Sequence, residues 1–433
     1  RYWGSPVPVW ECECGERIVP GSIKELEDLS GQKVTDLHKP EIDEIKTKCP
    51  KCDKFASRGP EVLDSWIEAG SASFAERHFP FDKKLRLEDF FPPDFIVEYT
   101  GQIRAWFYVV HVIATALFDS PGFKNVVVTG VVLGTDGRKM SKNYGNYPDP
   151  KGLMQTYGGD ALRIYLMGSP VMRGEDISFS NEGVPEVIRG FMLILWNSYK
   201  FFIDYANLFE WDCKKHGNVK KEQLTVLDRW ILARLTELTL NLHQAFKTFD
   251  TPLLSKILKD FVVNDLSTWY IRRIRDRVSG EDESDRNVCL SVLFGVLVTY
   301  SKLLAPLAPF IAEELYKNLT DEESVHLADY PLGDKSLLDL QLMADMVLVR
   351  KRETKDVEVT LDTTITPQLQ EEGEARELMR KVQQLRKDAG LTLSDKTKIK
   401  APSWPKRYEE MILRGTASVG ISKGQSLEVI KVS

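Results

Sequence analysis

The chain of 433 residues lacks the features that mark membrane and secreted proteins. No basic segment followed by an apolar one opens it, and its longest apolar stretch, 292–310, is interrupted by a serine, a lysine and two prolines. An excess of basic residues is also missing, since the net charge is −6 at pH 7, so any RNA contact depends on local basic patches. We expect a cytoplasmic protein of about three domains. Because it starts at Arg1 without a methionine, we also expect a fragment of a longer chain.

Cysteine is scarce, yet four of the six cysteines stand in two close pairs. They are Cys12, Cys14, Cys49 and Cys52. Thiolate pairs on two separate turns are the usual ligands of a closed tetrahedral zinc site, so we predict a structural Zn²⁺ in a module spanning 10–55. Two disulfides are the alternative, although they are uncommon in the cytoplasm. Cys213 and Cys289 stand alone, which predicts ordinary buried thiols, and no later cysteine can build a second site.

A loop rich in glycine, 134–146, follows the apolar run 126–133 and carries two lysines. Its glycines accept positive φ and supply flexible points, so the loop can move. Lys139 and Lys142 on such a loop can close over a polyphosphate and stabilise the charge that develops when a phosphoanhydride breaks. Ser141 adds a hydroxyl donor. The alternative interpretation is a solvated basic turn.

The segment around this loop has the pattern of a parallel sheet. Residues 95–98 predict a short buried strand, residues 102–118 predict an apolar helix with His111 as a core residue, and the valine-rich run predicts a second strand. A strand, a helix and a strand in this order form a parallel pair. Ligands of open α/β sheets bind beyond the carboxyl ends of the strands, so we expect Glu98 and Lys139 at the same rim.

The rest of the chain reads as helices followed by a small α/β module. Residues 181–335 predict a helical bundle in which Thr251 is an N-cap and Pro252 the first helical residue. One face of its long helix is apolar, in Leu227, Ile231, Leu235, Leu238, Leu242 and Phe246. In 336–433, residues 357–361 alternate like a strand. A later amphipathic helix ends at Gly390 and is marked by Ala375, Leu378, Val382, Leu385 and Ala389.

The residues Lys139-Met140-Ser141-Lys142 resemble the KMSKS signature of class I aminoacyl-tRNA synthetases, with Asn143 where the last serine usually stands. Further segments are similar in content and order to the isoleucyl-tRNA synthetases. They are 1–10, 21–26, 34–38, 61–66, 98–106, 227–230, 266–273 and 304–310. The resemblance implies an α/β and then mainly α architecture. Its parts would be the second part of a Rossmann-like catalytic domain with the zinc module (1–180), a helical anticodon-binding domain (181–335) and a C-terminal α/β junction module (336–433).

This resemblance implies an isoleucine–tRNA ligase, a monomer when complete, which uses ATP with Mg²⁺ to form isoleucyl-adenylate and transfers isoleucine to tRNA(Ile). The catalytic residues would be Lys139, Ser141 and Lys142. The adenylate and the isoleucine side chain would be held by Glu98, Gln102, Trp66, Trp106, Gly130 and Val132. Arg272, Arg273, Arg275 and Arg277 follow Trp269 on a predicted helix, and this spacing predicts contacts to tRNA phosphates beside an aromatic ring that stacks on an anticodon base. The alternatives are core packing for the tryptophans and a solvated helix face for the arginines.

The chain also departs from the family. Gly101 stands where family members commonly carry an aspartate, and Ala105 where they carry a glycine. No His-x-Gly-His occurs, and the first nucleotide-binding half and the inserted editing domain are absent from this sequence, so we expect the isolated chain to form no adenylate at a useful rate. A non-catalytic, zinc-containing tRNA-binding protein and a valine- or leucine-specific ligase remain as alternatives.

Overall fold

The computed structural model describes residues 4–140, 143–146, 148–354, 366–392 and 395–432. The chain divides into two compact units. The first contains Arg1–Pro148 and Ser169–Ser180, and the second contains Asp149–Gly168 and Asn181–Ser433. The predicted division into three domains stays a prediction, but the structure groups the segment 149–168 with the helical part rather than with 1–180.

Hydrogen bonds explain this grouping. The carboxylate of Asp160 accepts from the backbone N–H groups of Phe310 (3.3 Å) and Ile311 (2.7 Å). Arg163 donates to the carbonyl oxygen of Leu307 at 3.1 Å. A carboxylate that satisfies the free N–H groups at a helix start is a cap, and this cap attaches the segment to the helical unit.

The first unit begins with a small antiparallel sheet. The elements are β1 (Trp10–Glu11), β2 (Arg17–Ile18), α1 (Ile23–Ser30), β3 (Lys46–Lys48) and β4 (Phe55–Arg58). The strands are ordered β2-β1-β4-β3. Trp10 is fully buried, and its indole N–H donates to the carbonyl oxygen of Ile45 at 2.7 Å. The side chains of Leu26 and Ile42 complete this small core, which holds the two hairpin turns at one end of the sheet.

Parallel strand pairs follow. The elements are α2 (Ser65–Ala75), β5 (Ile96–Tyr99), α3 (Trp106–Phe118), β6 (Val126–Thr129), β7 (Val132–Leu133) and β8 (Ile177–Ser178). Strand β5 pairs in parallel with β6, which confirms the predicted strand–helix–strand unit. The prediction of one valine-rich strand is wrong, because the run breaks at Gly130 and β7 pairs instead with β8. A Cβ at Gly130 would lie 2.0 Å from the carbonyl oxygen of Glu175, so only glycine lets the two backbones pass.

Helices α2 and α3 pack closely because Gly70 removes a side chain between them. A Cβ at this position would lie 2.7 Å from Cδ1 of Ile113. Only a narrow face of α3 is buried, and the opposite face is exposed to solvent. The prediction that His111 is a core residue is wrong, because His111 lies on the exposed face. The buried strand expected over 95–98 is likewise half open, since Ile96 is buried and Val97 is exposed.

The second unit is a helical bundle. Its helices are α4 (Pro150–Tyr157), α5 (Gly159–Met167), α6 (Gly183–Val187), α7 (Leu193–Leu208), α8 (Cys213–His216), α9 (Val226–Lys247), α10 (Thr251–Asp260), α11 (Arg272–Ser279), α12 (Glu283–Leu304), α13 (Pro309–Leu319) and α14 (Leu340–Thr354). The predicted apolar face of α9 is confirmed, because Ile231, Leu235, Leu238 and Leu242 are buried in one continuous core. Cys289 is buried as predicted, whereas Cys213 is exposed at the start of the short α8.

Two π-helical segments, Ile188–Met192 and Phe261–Ile271, interrupt the regular helices of the bundle. The second joins α10 to α11 without a break. The predicted N-cap of α10 is shifted by one residue, since Asp250 rather than Thr251 caps it by accepting from the N–H of Leu253 at 3.0 Å. A carboxylate at 250 reaches the third helical N–H, which is the bond an N-cap makes.

Two segments of the described chain, Thr100–Phe118 and Glu283–Leu304, are long and apolar enough to cross a membrane by length and composition alone. The most apolar part of Glu283–Leu304 is 67% buried, because α12 is a central helix of the bundle. The corresponding part of Thr100–Phe118 is 17% buried.

The second unit ends in a three-stranded sheet covered by helices. Its elements are α15 (Pro367–Asp388), β9 (Thr397–Ala401), α16 (Glu409–Gly415), β10 (Ser418–Lys423) and β11 (Glu428–Lys431). Strand β9 is central, parallel to β10 and antiparallel to β11. The predicted helix is confirmed, since Ala375 and Val382 are buried and the turn after α15 places Gly390 at φ +68°. The strand predicted over 357–361 lies outside the described residues.

Candidate functional site

The lysine loop begins as a tight turn directly after β7. The N–H of Gly134 donates to the carbonyl oxygen of Arg138 at 2.8 Å, and the N–H of Gly137 donates to that of Gly134 at 2.9 Å. Gly137 has φ +74°, a conformation that glycine adopts without strain. Lys139 pairs with Leu133 as an isolated antiparallel bridge, so the turn folds the lysine back along the strand.

Asp136 holds both arms of this loop. Its carboxylate accepts from the backbone N–H of Arg138 at 3.0 Å and from the side-chain amide of Asn146 at 3.1 Å. These hydrogen bonds hold the pKa of the Asp136 carboxyl below its usual value. The loop is therefore anchored near both ends. Ser141 and Lys142 lie outside the described residues.

The structure brings Lys139 to the carboxyl end of β5, where Glu98 lies. The Lys139 ammonium lies 5.8 Å from the centroid of the Tyr99 ring, within the range of a cation–π contact. Glu98 is exposed, and its carboxylate accepts from the N–H of Tyr99 at 3.2 Å. Lys139 thus lies near the ring of Tyr99, the residue that follows Glu98 at the carboxyl end of β5.

Tyr99 also occupies the space beside Gly101. A Cβ at Gly101 would lie 2.4 to 2.5 Å from three atoms of the Tyr99 side chain. An aspartate at 101 would therefore require the Tyr99 ring to move. The presence of glycine at 101, where family members commonly carry an aspartate, is thus linked to the position of the Tyr99 ring under Lys139.

Two further candidate residues, Gln102 and Trp106, meet at the start of α3, and a third, Trp66, lies on α2. The indole N–H of Trp106 donates to the carbonyl oxygen of Ala69 in α2 at 2.9 Å, and the side-chain oxygen of Gln102 accepts from the N–H of Trp106 at 3.1 Å. Trp66 lies one turn before Ala69 and is 41% exposed. Trp106 thus has a structural role in joining the two helices, while Trp66 leaves a large apolar surface open.

Gly130 and Val132, which were predicted to contact the adenylate, differ in whether their backbone groups are available to a ligand. The N–H of Gly130 donates to the carbonyl oxygen of Val171 at 2.7 Å, so that group is already used. Strand β8 bonds to the carbonyl groups of Val131 and Leu133. Because peptide groups alternate along a strand, those of Val132 face the opposite edge. Val132 is therefore the better placed of the two to contact a ligand through its backbone.

The four paired cysteines form one cluster at the end of the antiparallel sheet. They lie on the β1–β2 turn and on the β3–β4 turn, and all four sulfur atoms lie within 4.8 Å of one another. The Sγ atoms of Cys12 and Cys52 are 3.5 Å apart, and those of Cys14 and Cys49 are 3.7 Å apart. All four are free thiols, which contradicts the disulfide alternative.

These spacings fit a tetrahedral metal site. A tetrahedron with zinc–sulfur bonds of about 2.3 Å has sulfur–sulfur edges of about 3.8 Å. The backbone N–H of Glu16 lowers the pKa of the Cys14 thiol to about 7, which favours a thiolate. At Cys12 the N–H of Cys14 acts in the same direction, but burial and shared protons with the other thiols raise the pKa to about 12. Four thiolates at this distance need a cation between them, and Zn²⁺ suits this donor set.

The arginine-rich helix α11 divides into exposed and buried side chains. Arg272 and Arg275 are exposed, and Arg273 is half-buried. Trp269, for which stacking on an anticodon base stays a prediction, is 6% exposed, and the guanidinium of Arg273 lies 3.2 Å from its ring centroid. The π-helical segment turns this tryptophan toward the core, beside a second tryptophan, Trp230, with ring centroids 6.5 Å apart.

Sequence reasoning missed three contributors to these sites. They are Asp136, which anchors the loop, Tyr99, which lies under Lys139, and Arg350 of α14, whose guanidinium lies 4.9 Å from the Trp269 ring centroid. An Asp-Gly pair beside two lysines could have indicated the first. Arg350 is separated from Trp269 by more than eighty positions, so no local pattern points to it.

Comparison with known proteins extends these observations. Residues 1–179 match the family described as tRNA synthetases class I (I, L, M and V), and residues 228–401 match the anticodon-binding domain of tRNA ligase. The chain is 46% identical over 347 residues to isoleucine–tRNA ligase of Chlamydia trachomatis serovar D, covering 79% of this chain and 33% of that protein. It is 42% identical over 356 residues to isoleucine–tRNA ligase of Protochlamydia amoebophila, covering 81% and 34%.

The chain spans about a third of the length of these curated relatives. Among solved structures, it is similar to a leucyl-tRNA synthetase of Agrobacterium radiobacter K84 in a ternary complex with tRNA and LeuAMS. The TM-score is 0.60 at 22% identity, covering 78% of this chain and 42% of that one. At this identity the similarity concerns the fold.

Proposed function

Because this chain belongs to the class I tRNA synthetases, we propose that it is a C-terminal portion of an isoleucine–tRNA ligase. The observation that carries the proposal is identity of 46% to an isoleucine–tRNA ligase across 79% of the chain. The complete enzyme would join isoleucine to tRNA(Ile) with ATP as the energy source, in the cytoplasm. The geometry around Tyr99 supports this assignment, since Lys139 lies near the ring of the residue that follows Glu98 at the end of β5.

The lysine loop would bind the ATP phosphates. Lys139 and Lys142 carry the positive charge that stabilises the developing pyrophosphate, and Ser141 donates a hydrogen bond to it. Because Asp136 anchors the loop near its ends, the intervening lysines can close and open without losing the turn. Mg²⁺ bound to ATP would neutralise part of the phosphate charge.

The rim beside the loop would hold the amino acid and the adenylate. Glu98 can accept from the substrate ammonium or a ribose hydroxyl. The exposed indole of Trp66 and the amide of Gln102 border the space for an apolar side chain, and Trp106 positions Gln102 through their hydrogen bond. Val132 would contact adenine through its backbone, in preference to Gly130.

The cysteine cluster would hold a structural Zn²⁺. Cys12, Cys14, Cys49 and Cys52 supply four thiolates, which close the coordination sphere and leave no position for a substrate. The ion would join the two hairpin turns of a module whose own apolar core is small.

The helical unit would bind tRNA through α11. Exposed Arg272 and Arg275 present positive charge to RNA phosphates, with Arg273 beside them. A double substitution, Arg272→Glu with Arg275→Glu, tests this role in a titration of tRNA(Ile) at several salt concentrations. We expect weaker binding and a shallower dependence on salt, because two phosphate contacts are lost. Unchanged affinity with an unchanged salt slope would contradict the role of α11.

Isoleucine-dependent exchange between ATP and pyrophosphate tests the catalytic part. We expect no useful exchange by the 433-residue chain alone, because His-x-Gly-His and the first nucleotide-binding half are absent from it. Exchange by this chain would refute that expectation. The alternative of a non-catalytic tRNA-binding protein is favoured by Gly101, and it predicts that exchange remains absent when the upstream segment of a relative is joined to the chain.

A further inference from the structure

The hydroxyl group of Tyr99 lies at the carboxyl end of β5, the end at which parallel strands bind their ligands. The side chain is partly exposed, and its ring centroid lies 5.8 Å from the Lys139 ammonium. In the described part of the chain, no group forms a hydrogen bond with the hydroxyl oxygen. A phenol hydroxyl both donates and accepts, and here both capacities are open to a ligand.

The position of this hydroxyl depends on Gly101. A single 3₁₀ turn, Thr100–Gln102, follows β5 and brings residue 101 beside the Tyr99 side chain. A Cβ at Gly101 would lie 2.5 Å from the hydroxyl oxygen, which is closer than van der Waals contact allows. The hydroxyl therefore takes the space in which a side chain at 101 would begin.

The chemistry of the hydroxyl differs from that of its two charged neighbours. An ionised Glu98 only accepts hydrogen bonds and Lys139 only donates them, whereas Tyr99 does both. A ribose hydroxyl also does both, so the two hydroxyls can pair in either direction. A neutral group beside Lys139 does not repel the phosphates of a nucleotide, as a carboxylate in that place would.

The neighbourhood of Lys139 decides which part of a nucleotide reaches Tyr99. In the proposed function Lys139 binds phosphates, and the ribose is the part of a nucleotide that is bonded directly to them. A nucleotide whose phosphate meets the Lys139 ammonium therefore brings its ribose to the Tyr99 ring, which lies next to that ammonium.

We propose that the Tyr99 hydroxyl binds a ribose hydroxyl of the adenylate and that Gly101 leaves the space it needs. The proposal rests on the proposed function, in which the rim beside the lysine loop holds the adenylate. It gives Tyr99 two separable contacts, one from its ring to Lys139 and one from its hydroxyl to the ribose. Tyr99→Phe removes only the second contact, because phenylalanine keeps the ring.

The test compares the affinities of AMP, 2′-deoxy-AMP and 3′-deoxy-AMP for the 433-residue chain, measured by ligand-observed NMR at millimolar nucleotide. For the unchanged chain we expect one of the two deoxynucleotides to bind about three- to tenfold more weakly than AMP, as the loss of one hydrogen bond does. For Tyr99→Phe we expect AMP to lose the same factor. That deoxynucleotide should then bind no more weakly than AMP, because its protein partner is already gone.

Two further variants make the comparison specific. Tyr108→Phe is the matched control, since Tyr108 is a 61% exposed tyrosine on α3, and it should keep the pattern of the unchanged chain. Gly101→Ala keeps the tyrosine but displaces its hydroxyl, so it should reproduce the pattern of Tyr99→Phe.

The outcomes separate this proposal from the proposed function. If Tyr99→Phe binds AMP as tightly as the unchanged chain, or if the deoxynucleotide still loses its full factor in that variant, the hydroxyl binds no ribose and the proposal fails alone. Absence of AMP binding by the unchanged chain would overturn it as well. The proposed function fails on a different result, namely that the unchanged chain does not prefer tRNA(Ile) to an unrelated tRNA.

Discussion

Arg277 provides the sharpest test of how the arginines of α11 divide their roles. Its guanidinium donates to both carboxylate oxygens of Asp228, at 3.0 and 2.9 Å, and to Asp285 at 2.7 Å. The Asp228 side chain is 0% exposed and also accepts from the hydroxyl of Tyr270 at 2.8 Å. Arg277→Ala would therefore leave a buried carboxylate without its cation. Breaking a buried pair from one side costs about 3–5 kcal/mol, which for a unit of this size corresponds to a melting temperature lower by about 10 °C.

The pH dependence gives a second signature. Burial raises the pKa of Asp228, but hydrogen bonds from Arg277, Thr225 and Tyr270 outweigh burial and hold it below its usual value. A carboxyl with a lowered folded-state pKa contributes stability that is present at neutral pH and lost as the pH falls through that pKa. Without Arg277, burial raises the pKa of Asp228. The stability difference between the two proteins should therefore be greatest near pH 7 and shrink as the pH falls through the raised pKa of Asp228 in the variant toward its lowered pKa in the unchanged protein.

The assay is thermal unfolding by circular dichroism or calorimetry from pH 7 to pH 4, with tRNA titration of the same samples. Arg275→Ala is the matched control, because Arg275 is exposed on the same helix, and such a change alters stability by about 0.5 kcal/mol or less. We expect Arg277→Ala to lose stability and keep the salt slope of tRNA binding per folded molecule, and Arg275→Ala to do the reverse. Equal melting temperatures for the two variants would refute the reasoning.

Three further predictions concern other sites. Cys49→Ser should abolish the stoichiometric zinc measured by mass spectrometry, whereas Cys213→Ser should leave one zinc per chain; equal metal content would contradict the thiolate site. Gly101→Asp should displace the Tyr99 ring without changing the melting temperature and speed tryptic cleavage in the lysine loop; an unchanged cleavage rate would show that the ring does not hold the loop. Asp160→Ala removes the cap of α13 and should cost about 1 kcal/mol in thermal unfolding; an unchanged melting temperature would show that water replaces the cap.

Much of the architecture follows from local patterns. The apolar face of α9 and the buried positions of α15 were predicted because a helical period of 3.6 places those residues on one side. The cysteine cluster was predictable because its pairs lie on two hairpin turns, and β-hairpins of one sheet bring such turns together. Lys139 lies near Tyr99 at the carboxyl end of β5. The sequence argument for this position assumed one shared sheet, whereas β5 pairs with β6 and β7 pairs with β8.

The failures have a common physical origin in contacts between distant segments. The valine-rich run has the composition of one strand, but the backbone at Glu175 crosses it at Gly130. His111 lies in an apolar sequence, yet only one face of α3 is covered by α2. Trp269 beside arginines has the pattern of a base-stacking residue, which stays a prediction; its burial was not foreseen, because in π-helical geometry the faces assigned by a 3.6 period no longer apply.

The contact between Tyr99 and Gly101 shows why a departure from a family pattern needs a structural interpretation. An aspartate at 101 would supply a carboxylate to a ligand, but its Cβ would collide with the Tyr99 ring. With glycine at 101, the ring is free to lie under Lys139 at the end of β5. Glycine at 101 gives up the ligand contact of an aspartate carboxylate, and in return the Tyr99 ring lies beside the Lys139 ammonium. The substitution therefore need not mean loss of chemistry, and the loop-cleavage experiment on Gly101→Asp measures that exchange directly.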